Sequence, residues 1–295
     1  MMDRQVIISV RGLTKSYGDL EVLKGVSFDM FAGETIGLVG PNGSGKTTLI
    51  LLLTGYLRAN AGTVNILGIP ITCGTHDRRV GFVPDRPSFY PFFTPIQHLR
   101  MVDSLNGGRL TEGDCEAALA GVGLHEARHR KIGTFSRGML QRMCWAELVA
   151  GDAAVILLDE PTSALDPRGI VDLRKFVTER AQAGAAVFFS SHNLDEVERI
   201  CTRVLLMQEK KCEPLDRSAV QAENRFEVRL RKYDESKAKG LSAFTQNVER
   251  QGNTLWVTVA DGVTIGELFE QFSAAGLEVT GIVQSSAYYF ETEKP

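Results

Sequence analysis

The sequence has no hydrophobic run that approaches the ~20 consecutive apolar residues of a membrane-spanning helix, so we expect no transmembrane segment. The stretch Met1–Val10 lacks the apolar centre of a secretory signal, and we expect no cleaved leader. Cysteines are few: the five are scattered, and no two follow the C-x-x-C spacing. This argues against a disulfide framework and a structural zinc site, and it favours a reducing compartment such as the cytosol.

A strong charge of one sign is also absent. The chain has 33 Lys and Arg residues against 36 Asp and Glu residues, for a net charge of -3. This balance argues against a protein that grips nucleic acid through a broad basic surface. The hydrophobic fraction of 43% is typical of a well-packed globular protein, and 295 residues suit one large domain or two of unequal size.

The first strong pattern is a strand, a glycine-rich loop and a helix. Short β-like segments fill Val6–Phe31, and the apolar run Thr35–Val39 predicts a buried strand that ends at Gly40. An apolar helix is predicted from Thr47 onward. The apolar run Val155–Leu158 later predicts another strand buried on both faces. Strands and helices in this alternation indicate an α/β fold.

Helical signals fill the region between these strands, about residues 87–150. Thr94 precedes Pro95, as at a helix start, and Thr111 stands three residues before Asp114 in a capping-box-like pattern. We therefore predict a helical subdomain inserted in an α/β domain.

The pattern changes again near Glu223–Asn224, where we predict a linker. The first domain would then span residues 1–220, and the second, residues 221–295, would be a small ferredoxin-like α+β domain. We predict the order β-α-β-β-α-β and locate three of its four strands, at Phe226–Arg231, Leu255–Val259 and Val279–Val283. The two helices are predicted at Ser236–Phe244 and Thr264–Ala275.

The glycine-rich loop fits the phosphate-loop pattern G-x-x-x-x-G-K-[ST]. Its glycines let backbone N–H groups point inward as an anion cradle at the start of a helix. Lys46 supplies a point charge for the β- and γ-phosphates of a nucleotide, and Thr47 offers a hydroxyl to Mg²⁺. The candidate ATP-binding residues of this segment are Gly40, Pro41, Asn42, Gly43, Ser44, Gly45, Lys46, Thr47 and Thr48.

A pair of carboxylates, Asp159 and Glu160, follows the predicted strand Val155–Leu158. An aspartate at this place can hold Mg²⁺, and the adjacent glutamate can orient and deprotonate an attacking water. Two acids at a strand end can also be solvated or cap a helix. The company of Lys46 and Thr47 favours the catalytic interpretation, with ATP and Mg²⁺ as the implied ligands.

The order of these motifs resembles the nucleotide-binding subunit of an ABC transporter over residues 1 to about 212. The resemblance implies a P-loop NTPase core with an antiparallel β subdomain and a helical subdomain. It also implies that Tyr17 stacks on adenine, that His192 contacts the γ-phosphate and that Asp166 belongs to a loop at the dimer seam. Ser136 and Gly138, in a signature-like segment, would reach the ATP bound by the opposite subunit.

The sequence departs from the family pattern at three positions. Arg137 and Met139 replace a glycine and the glutamine of the signature, although Ser136 and Gly138 remain. Asp85 stands where the family usually has a glutamine that contacts Mg²⁺ and couples to the membrane subunit. Aspartate also offers an oxygen, so we expect the Mg²⁺ contact to persist with a shorter, charged side chain.

His125–His129 matches the zinc-protease pattern H-E-x-x-H. The segment is short, lies between Gly123 and Gly133, and is followed by the cationic pair Arg130–Lys131. This context favours a solvated loop or helix end over a metal site.

Taken together, the motifs predict the ATPase subunit of a transporter at the cytoplasmic face of a membrane. The resemblance implies the exporter class. Because each ATP site would need Ser136 from a neighbour, we expect a homodimer, or a heterodimer with a related ATPase, together with integral membrane transporter subunits. A soluble ATPase of the same family that acts on nucleic acid or ribosomes is the alternative. A single cassette and a net charge of -3 disfavour it, and we expect no nucleic-acid partner.

Overall fold

The computed structural model describes residues 5–75, 77–163, 165–215, 224–238, 241, 245–260 and 263–284. It divides into two compact units, Met1–Pro214 and Leu215–Pro295.

The described part of the first unit mixes strands and helices along the whole chain. In order they are β1 (Val6–Tyr17), β2 (Leu20–Phe31), β3 (Thr35–Val39), α1 (Lys46–Leu53), β4 (Ala61–Ile66), β5 (Ile69–Pro70), β6 (Val80–Val83), α2 (Pro95–Leu105), α3 (Glu112–Gly121), α4 (Arg137–Ala150), β7 (Val155–Leu158), α5 (Pro167–Gln182), β8 (Ala186–Ser191), α6 (Leu194–Ile200), β9 (Arg203–Gln208) and β10 (Lys211–Pro214).

The first sheet is antiparallel, with strand order β2-β1-β4-β5. The long hairpin of β1 and β2 turns at Gly18, whose φ of 57° suits glycine. Residues of one face, among them Ile8, Val10 and Met30, are fully buried, while the other face is largely exposed. This alternation is what a sheet with one solvated face requires.

The second sheet is the centre of the unit, with strand order β10-β9-β3-β8-β7-β6. All neighbouring pairs are parallel except β10 with β9. Every residue of β3, β7 and β8 is buried, which explains why their sequences are mostly apolar. The predicted strands Thr35–Val39 and Val155–Leu158 are confirmed. Their carboxyl ends lie at the same edge of the sheet, with the end of β8 between them.

Side-chain caps begin α2 and α3 at the predicted positions, and α4 begins with a cap of the same kind. Thr94 forms a capping box at α2 and Thr111 forms one at α3. The hydroxyl of Ser136 accepts a hydrogen bond from the Met139 amide at the start of α4. Each cap satisfies an amide that the helix leaves unpaired at its first turn. The helical subdomain predicted between β6 and β7 therefore contains α2, α3 and α4.

Close packing holds α4 against the rest of the unit. Trp145 of α4 stacks on Phe176 of α5 with ring centroids 5.4 Å apart. On the other side, a Cβ built on Gly81 of β6 would lie 2.0 Å from Leu148 of α4. A larger residue at this position would force the Leu148 side chain to move, so Gly81 allows α4 to pack closely on β6.

The second unit is an α+β arrangement, the fold class predicted. Its described elements are β11 (Asn224–Leu230), α7 (Glu235–Ala238), β12 (Thr245–Gln251), β13 (Thr254–Val259), α8 (Ile265–Ala274) and β14 (Val279–Gln284). They form one antiparallel sheet of order β12-β13-β11-β14. Its core includes Phe226, Val257, Leu268 and Phe272.

Two local predictions in this region need adjustment. Asn224 is the first residue of β11 and does not belong to a linker, while Glu223 lies outside the described residues. The predicted helix Ser236–Phe244 corresponds to α7, whose described part begins one residue earlier and ends at Ala238. Residues 239–240 and 242–244 also lie outside the described part of the chain.

Candidate active site

The loop between β3 and α1 depends on its glycines. Gly43 and Gly45 have φ of 83° and 109°, in the region that favours glycine. A Cβ on Gly40 would lie 2.7 Å from the carbonyl oxygen of Met207, which is backbone and cannot yield. Gly45 is also the N-cap of α1, so the loop delivers its amides to a helix N-terminus, where backbone N–H groups and the helix dipole attract anions.

The Lys46 side chain is buried at the centre of this loop, with 6% of its surface exposed. Its Nζ donates hydrogen bonds to the carbonyl oxygens of Gly40 at 2.8 Å and Pro41 at 3.1 Å. Nζ also lies 3.4 Å from Oε1 of Glu160. The ammonium group therefore links the phosphate-loop backbone to the acid at the end of β7.

The remaining loop residues leave room for an anion. Asn42 and Gly43 are exposed, and Thr48 is half-buried in the first turn of α1. The Oγ of Ser44 is buried and has no hydrogen-bond partner among the described residues. A buried hydroxyl without a partner is unfavourable, and a phosphate oxygen would satisfy it.

Asp159 is held by two hydroxyls. Thr47 Oγ1 donates to Asp159 Oδ2 at 2.8 Å, and Ser190 Oγ donates to Oδ1 at 2.7 Å. Burial raises the pKa of Asp159, and the hydrogen bonds from Ser190 and Thr47 oppose that rise. The hydroxyl of Thr47 and the carboxylate of Asp159 form a hard-oxygen donor set that suits Mg²⁺.

Glu160 adopts an unusual backbone conformation next to Asp159. Its φ is 45°, a left-handed value that is uncommon for a residue with a side chain. Its amide donates to Ser190 Oγ at 3.0 Å, and its Oε2 lies 2.8 Å from Nδ1 of His192. The structure therefore brings Lys46, Glu160 and His192, three residues predicted for the site, into one contact chain.

Asp85 follows β6 at the same edge of the sheet. Its Oδ1 accepts a hydrogen bond from the hydroxyl of Ser163, and its Oδ2 lies 3.6 Å from the guanidinium of Arg86. Its negative charge also contributes to raising the pKa of Asp159, after the larger effect of burial. Asp85 thus ties the loop after β6 to the loop after β7.

Asp166 has a local role as the N-cap of α5, where Oδ1 accepts from the amide of Gly169 at 2.7 Å. It lies close in sequence to Ser163, and Ala164 between them is outside the described residues. The cap fixes the point at which the loop after β7 enters α5.

Tyr17 lies at the end of β1 with 48% of its surface exposed. The Nζ of Lys15 stands 4.9 Å from the centroid of the Tyr17 ring and donates to the carbonyl oxygen of Arg58 at 2.9 Å. A cation over an aromatic ring is stabilising. One face of the ring is therefore occupied by an ammonium group, and the ring remains accessible to solvent.

Ser136 and Gly138 lie at the N-terminal end of α4, where Ser136 is exposed and Gly138 half-buried. A Cβ placed on Gly138 would meet nothing within 4 Å. Further along α4, the buried Gln141 donates from Nε2 to the carbonyl oxygen of Pro161 at 3.1 Å. The signature segment is thus open at its tip, while its helix is tied to the loop that follows Glu160.

Sequence reasoning assigned no role to Ser190 or Gln141, two buried polar side chains that contact the residues after β7. The sequence signal for Ser190 was its position directly after the apolar run Ala186–Phe189, where a polar residue at a buried strand end needs a partner. For Gln141 it was an amide among the apolar positions of α4, where a buried polar group needs a partner.

The His125–His129 segment does not form the helix that a zinc protease requires. His125–Ala127 is a single 3-10 turn, and Nδ1 of His125 lies 3.2 Å from Oε1 of Glu126. Within the described residues, no group of three or more His, Cys, Asp and Glu side chains is arranged to hold a metal ion.

A cavity of about 470 Å³ lies between the end of α1 and β6 on one side and helices α2 and α4 on the other. Apolar side chains line it, including Leu53, Phe82 and Leu99, together with the acids Asp103 and Glu147. None of the helices that the structure describes combines the length and hydrophobicity needed to cross a bilayer.

Comparisons with known proteins agree on one family. A family model described as ABC transporter matches residues 23–163. The uncharacterized ABC transporter ATP-binding protein YdbJ of Bacillus subtilis is 39% identical over 210 residues, 68% of this chain. The alignment covers 66% of YdbJ, so the chain spans just under two thirds of that relative.

Two relatives align over more of the chain. The bacitracin transport ATP-binding protein BcrA of Enterococcus faecalis is 30% identical over 297 residues, which cover 97% of this chain and 94% of BcrA. The Nod factor export ATP-binding protein I of Burkholderia lata is 33% identical over 86% of each chain. A solved ATP-binding subunit of an ABC transporter superposes with a TM-score of 0.66 at 26% identity, over 73% of this chain and 92% of that one.

Proposed function

The chain belongs to the ATP-binding subunits of ABC transporters, and from this premise we propose that its ATPase activity drives export through separate membrane subunits. Relatives that align over both units, BcrA and the Nod factor protein, are named for bacitracin transport and Nod factor export. The name of the second relative supports the outward direction. The subunit would act at the cytoplasmic face of the membrane, where ATP is available.

The phosphate loop would hold the triphosphate of ATP. Its inward amides, the ammonium group of Lys46 and the unpartnered hydroxyl of Ser44 together offer the donors that phosphate oxygens require. Thr47 and Asp159 would hold Mg²⁺, which neutralises charge that builds up on the phosphate oxygens during transfer. Tyr17 would receive the adenine ring on the side opposite Lys15.

Glu160 would orient and deprotonate the attacking water. Its carboxylate lies between the ammonium group of Lys46 and the ring of His192, so two partners fix its direction. A general base must be held within hydrogen-bond reach of the water whose proton it takes. His192, more than half exposed, would sense the γ-phosphate while it holds Glu160.

A complete site would need a second subunit. The chain has one phosphate loop and one signature-like segment, and Ser136 at the tip of α4 is exposed. We therefore propose that two copies, or one copy and a related ATPase, pair head to tail. Ser136 and Gly138 of each would face the ATP bound by the other, and Asp166 would lie at the seam.

The cavity between β6, α2 and α4 supports a docking site for a segment of the membrane subunit. Its lining combines apolar side chains with more acids than bases, so an amphipathic segment with a basic residue would fit. The acids are Asp77, Asp103, Asp114, Glu147 and Asp152, and the bases are Arg78 and Arg109. The chain runs from β6 directly into Asp85, whose carboxylate contacts Ser163. A change at the cavity would thus reach the loop after Glu160 through a single hydrogen bond.

The contact chain of Lys46, Glu160 and His192 is the observation that carries this proposal, and one substitution tests it. Glu160→Gln keeps the shape of the side chain but removes its basicity. We expect ATP turnover to fall by a factor of about 100 or more, while ATP binding persists. The matched control is Glu126→Gln, which changes an exposed glutamate outside the site and should leave turnover unchanged. Full turnover in Glu160→Gln would remove Glu160 from this role.

A further inference from the structure

We propose that Ser190 is a positioning residue that sets the relative placement of the metal-binding and water-activating carboxylates. The inference rests on the proposed roles of Asp159 and Glu160 and adds a third residue to them. Ser190 touches neither ATP nor water in this scheme. It acts through its two neighbours.

The hydroxyl of Ser190 makes two hydrogen bonds of opposite direction. It donates to Oδ1 of Asp159 at 2.7 Å and accepts from the amide of Glu160 at 3.0 Å. The directions are fixed by chemistry, because a carboxylate only accepts and an amide N–H only donates. Ser190 is fully buried, so water does not compete for either bond.

Sheet register places the serine at this point. Strands β7 and β8 are parallel, and Leu158 stands opposite Phe189. Asp159 directly follows the end of β7, and Ser190, the next residue of β8, therefore lies beside it. An apolar side chain here would leave a carboxylate oxygen and an amide buried without these partners, which is unfavourable. A small hydroxyl residue satisfies both groups without displacing the strands.

The two bonds act on different features of the site. Asp159 has its second oxygen bound by Thr47, so hydroxyls on both sides fix the plane of its carboxylate. Glu160 has a left-handed φ of 45°, which a residue with a side chain adopts only when its surroundings hold it there. The hydrogen bond from the Glu160 amide to Ser190 stabilises this conformation. In this conformation the Glu160 side chain lies against Lys46 and His192.

Ser190→Ala removes both bonds and tests the inference. Groups that orient metal ligands typically contribute a factor of 10 to 100 in metal affinity or activity. We expect turnover to fall about 10- to 100-fold, and the Mg²⁺ concentration for half-maximal thermal stabilisation by ATP to rise about 10-fold. ATP binding measured in EDTA should stay at the wild-type level. Ser190→Thr, which restores the hydroxyl, should recover most of both properties.

The matched control is Thr202→Val. The Thr202 hydroxyl also makes two hydrogen bonds of opposite direction. It donates to the carbonyl oxygen of Thr35 and accepts from the amide of Thr35. Thr35 begins β3, whereas the phosphate loop follows the end of that strand. This control should lower thermal stability without a change in Mg²⁺ dependence.

An unchanged Mg²⁺ midpoint and unchanged turnover in Ser190→Ala would overturn the inference, as would equal shifts in Thr202→Val. The Mg²⁺ titration of Ser190→Ala decides the question even if the added methyl of the threonine variant disrupts the core. A wild-type protein that neither binds nor hydrolyses ATP would instead defeat the proposed function itself.

Discussion

Oγ1 of Thr47 lies 2.8 Å from Oδ2 of Asp159, although 112 residues separate them in the sequence. The hydrogen bond joins the start of α1 to the end of β7, and so connects the phosphate loop to the strand that carries the acidic pair. The Thr47 hydroxyl and the Asp159 carboxylate therefore lie close together at one edge of the sheet, although they come from different elements. Both offer hard oxygen ligands. The proposed Mg²⁺ site depends on this contact more than on any local motif.

Replacing Thr47 should therefore affect metal-dependent binding above all. Thr47→Val keeps the volume of the side chain and removes the hydroxyl, so we expect Mg²⁺-dependent ATP affinity to fall about 10-fold or more. Thr47→Ser should retain it. Titration calorimetry with and without EDTA separates the metal-dependent part. Equal losses in both conditions would mean that Thr47 acts on the phosphates or on folding.

Pairing of two subunits predicts complementation between inactive variants. Lys46→Ala disables the phosphate loop, and Ser136→Asp keeps a good helix cap but places a negative charge toward the γ-phosphate. If two copies pair head to tail, a mixed dimer contains one intact site. Random mixing should then restore about a quarter of wild-type ATPase activity.

The control for this experiment mixes Lys46→Ala with Glu160→Gln. Both substitutions affect the same half of the site, so every mixed dimer has two defective sites and no activity should return. Recovery in both mixtures, or in neither, would contradict a site shared between subunits in this arrangement.

If adenine stacks on Tyr17, removing the ring should lower the affinity only for ligands that carry a base. Replacing an aromatic platform by alanine typically costs about 1–3 kcal/mol per stacked base. Tyr17→Ala should weaken ATP binding by roughly that amount, while Tyr17→Phe keeps the ring and the affinity. Tripolyphosphate has no base, and its competition for the site should be the same in all three proteins. A parallel loss of tripolyphosphate binding would place Tyr17 at the phosphates.

Local signals were sufficient to predict where helices α2 and α3 begin. The capping threonines Thr94 and Thr111 each act within three residues. A glycine-rich turn between an apolar strand and an apolar helix is equally local, so the phosphate loop was recognisable from the sequence.

Contacts between distant segments were not predictable in the same way. Ser190 reaches Asp159 across 31 residues, and Gln141 reaches Pro161 across 20. The bond between Asp85 and Ser163 spans 78 residues and depends on β6 lying beside β7. Such contacts follow from the strand order of the sheet, which the alternation of elements along the chain leaves open.

The buried carboxylate of Asp159 predicts a pH-dependent effect on stability. Burial raises its pKa above the ordinary value of 3.8, so the folded state favours the protonated form and is penalised as pH rises. Asp159→Asn removes that penalty. In EDTA, we expect this variant to be more stable than the wild type at pH 7, with a difference that shrinks toward pH 4. Urea unfolding at several pH values measures it, and a difference independent of pH would contradict this origin.

The charge of Asp85 should act on the triphosphate as well as on the metal. Asp85→Asn keeps the length of the side chain and an oxygen for Ser163 but removes the negative charge. Because the side chain is partly exposed, the electrostatic effect should be modest, about 1 kcal/mol or less. We expect Mg²⁺-free ATP to bind up to about fivefold more tightly, since a repulsive charge is removed. The Mg²⁺ concentration needed for activity should rise.

Ser163→Ala is the complementary variant, because it removes the hydrogen bond to Asp85 and retains the charge of Asp85. It should leave Mg²⁺-free binding unchanged, and a gain in that variant would show that the position of Asp85, and not its charge, opposes the nucleotide.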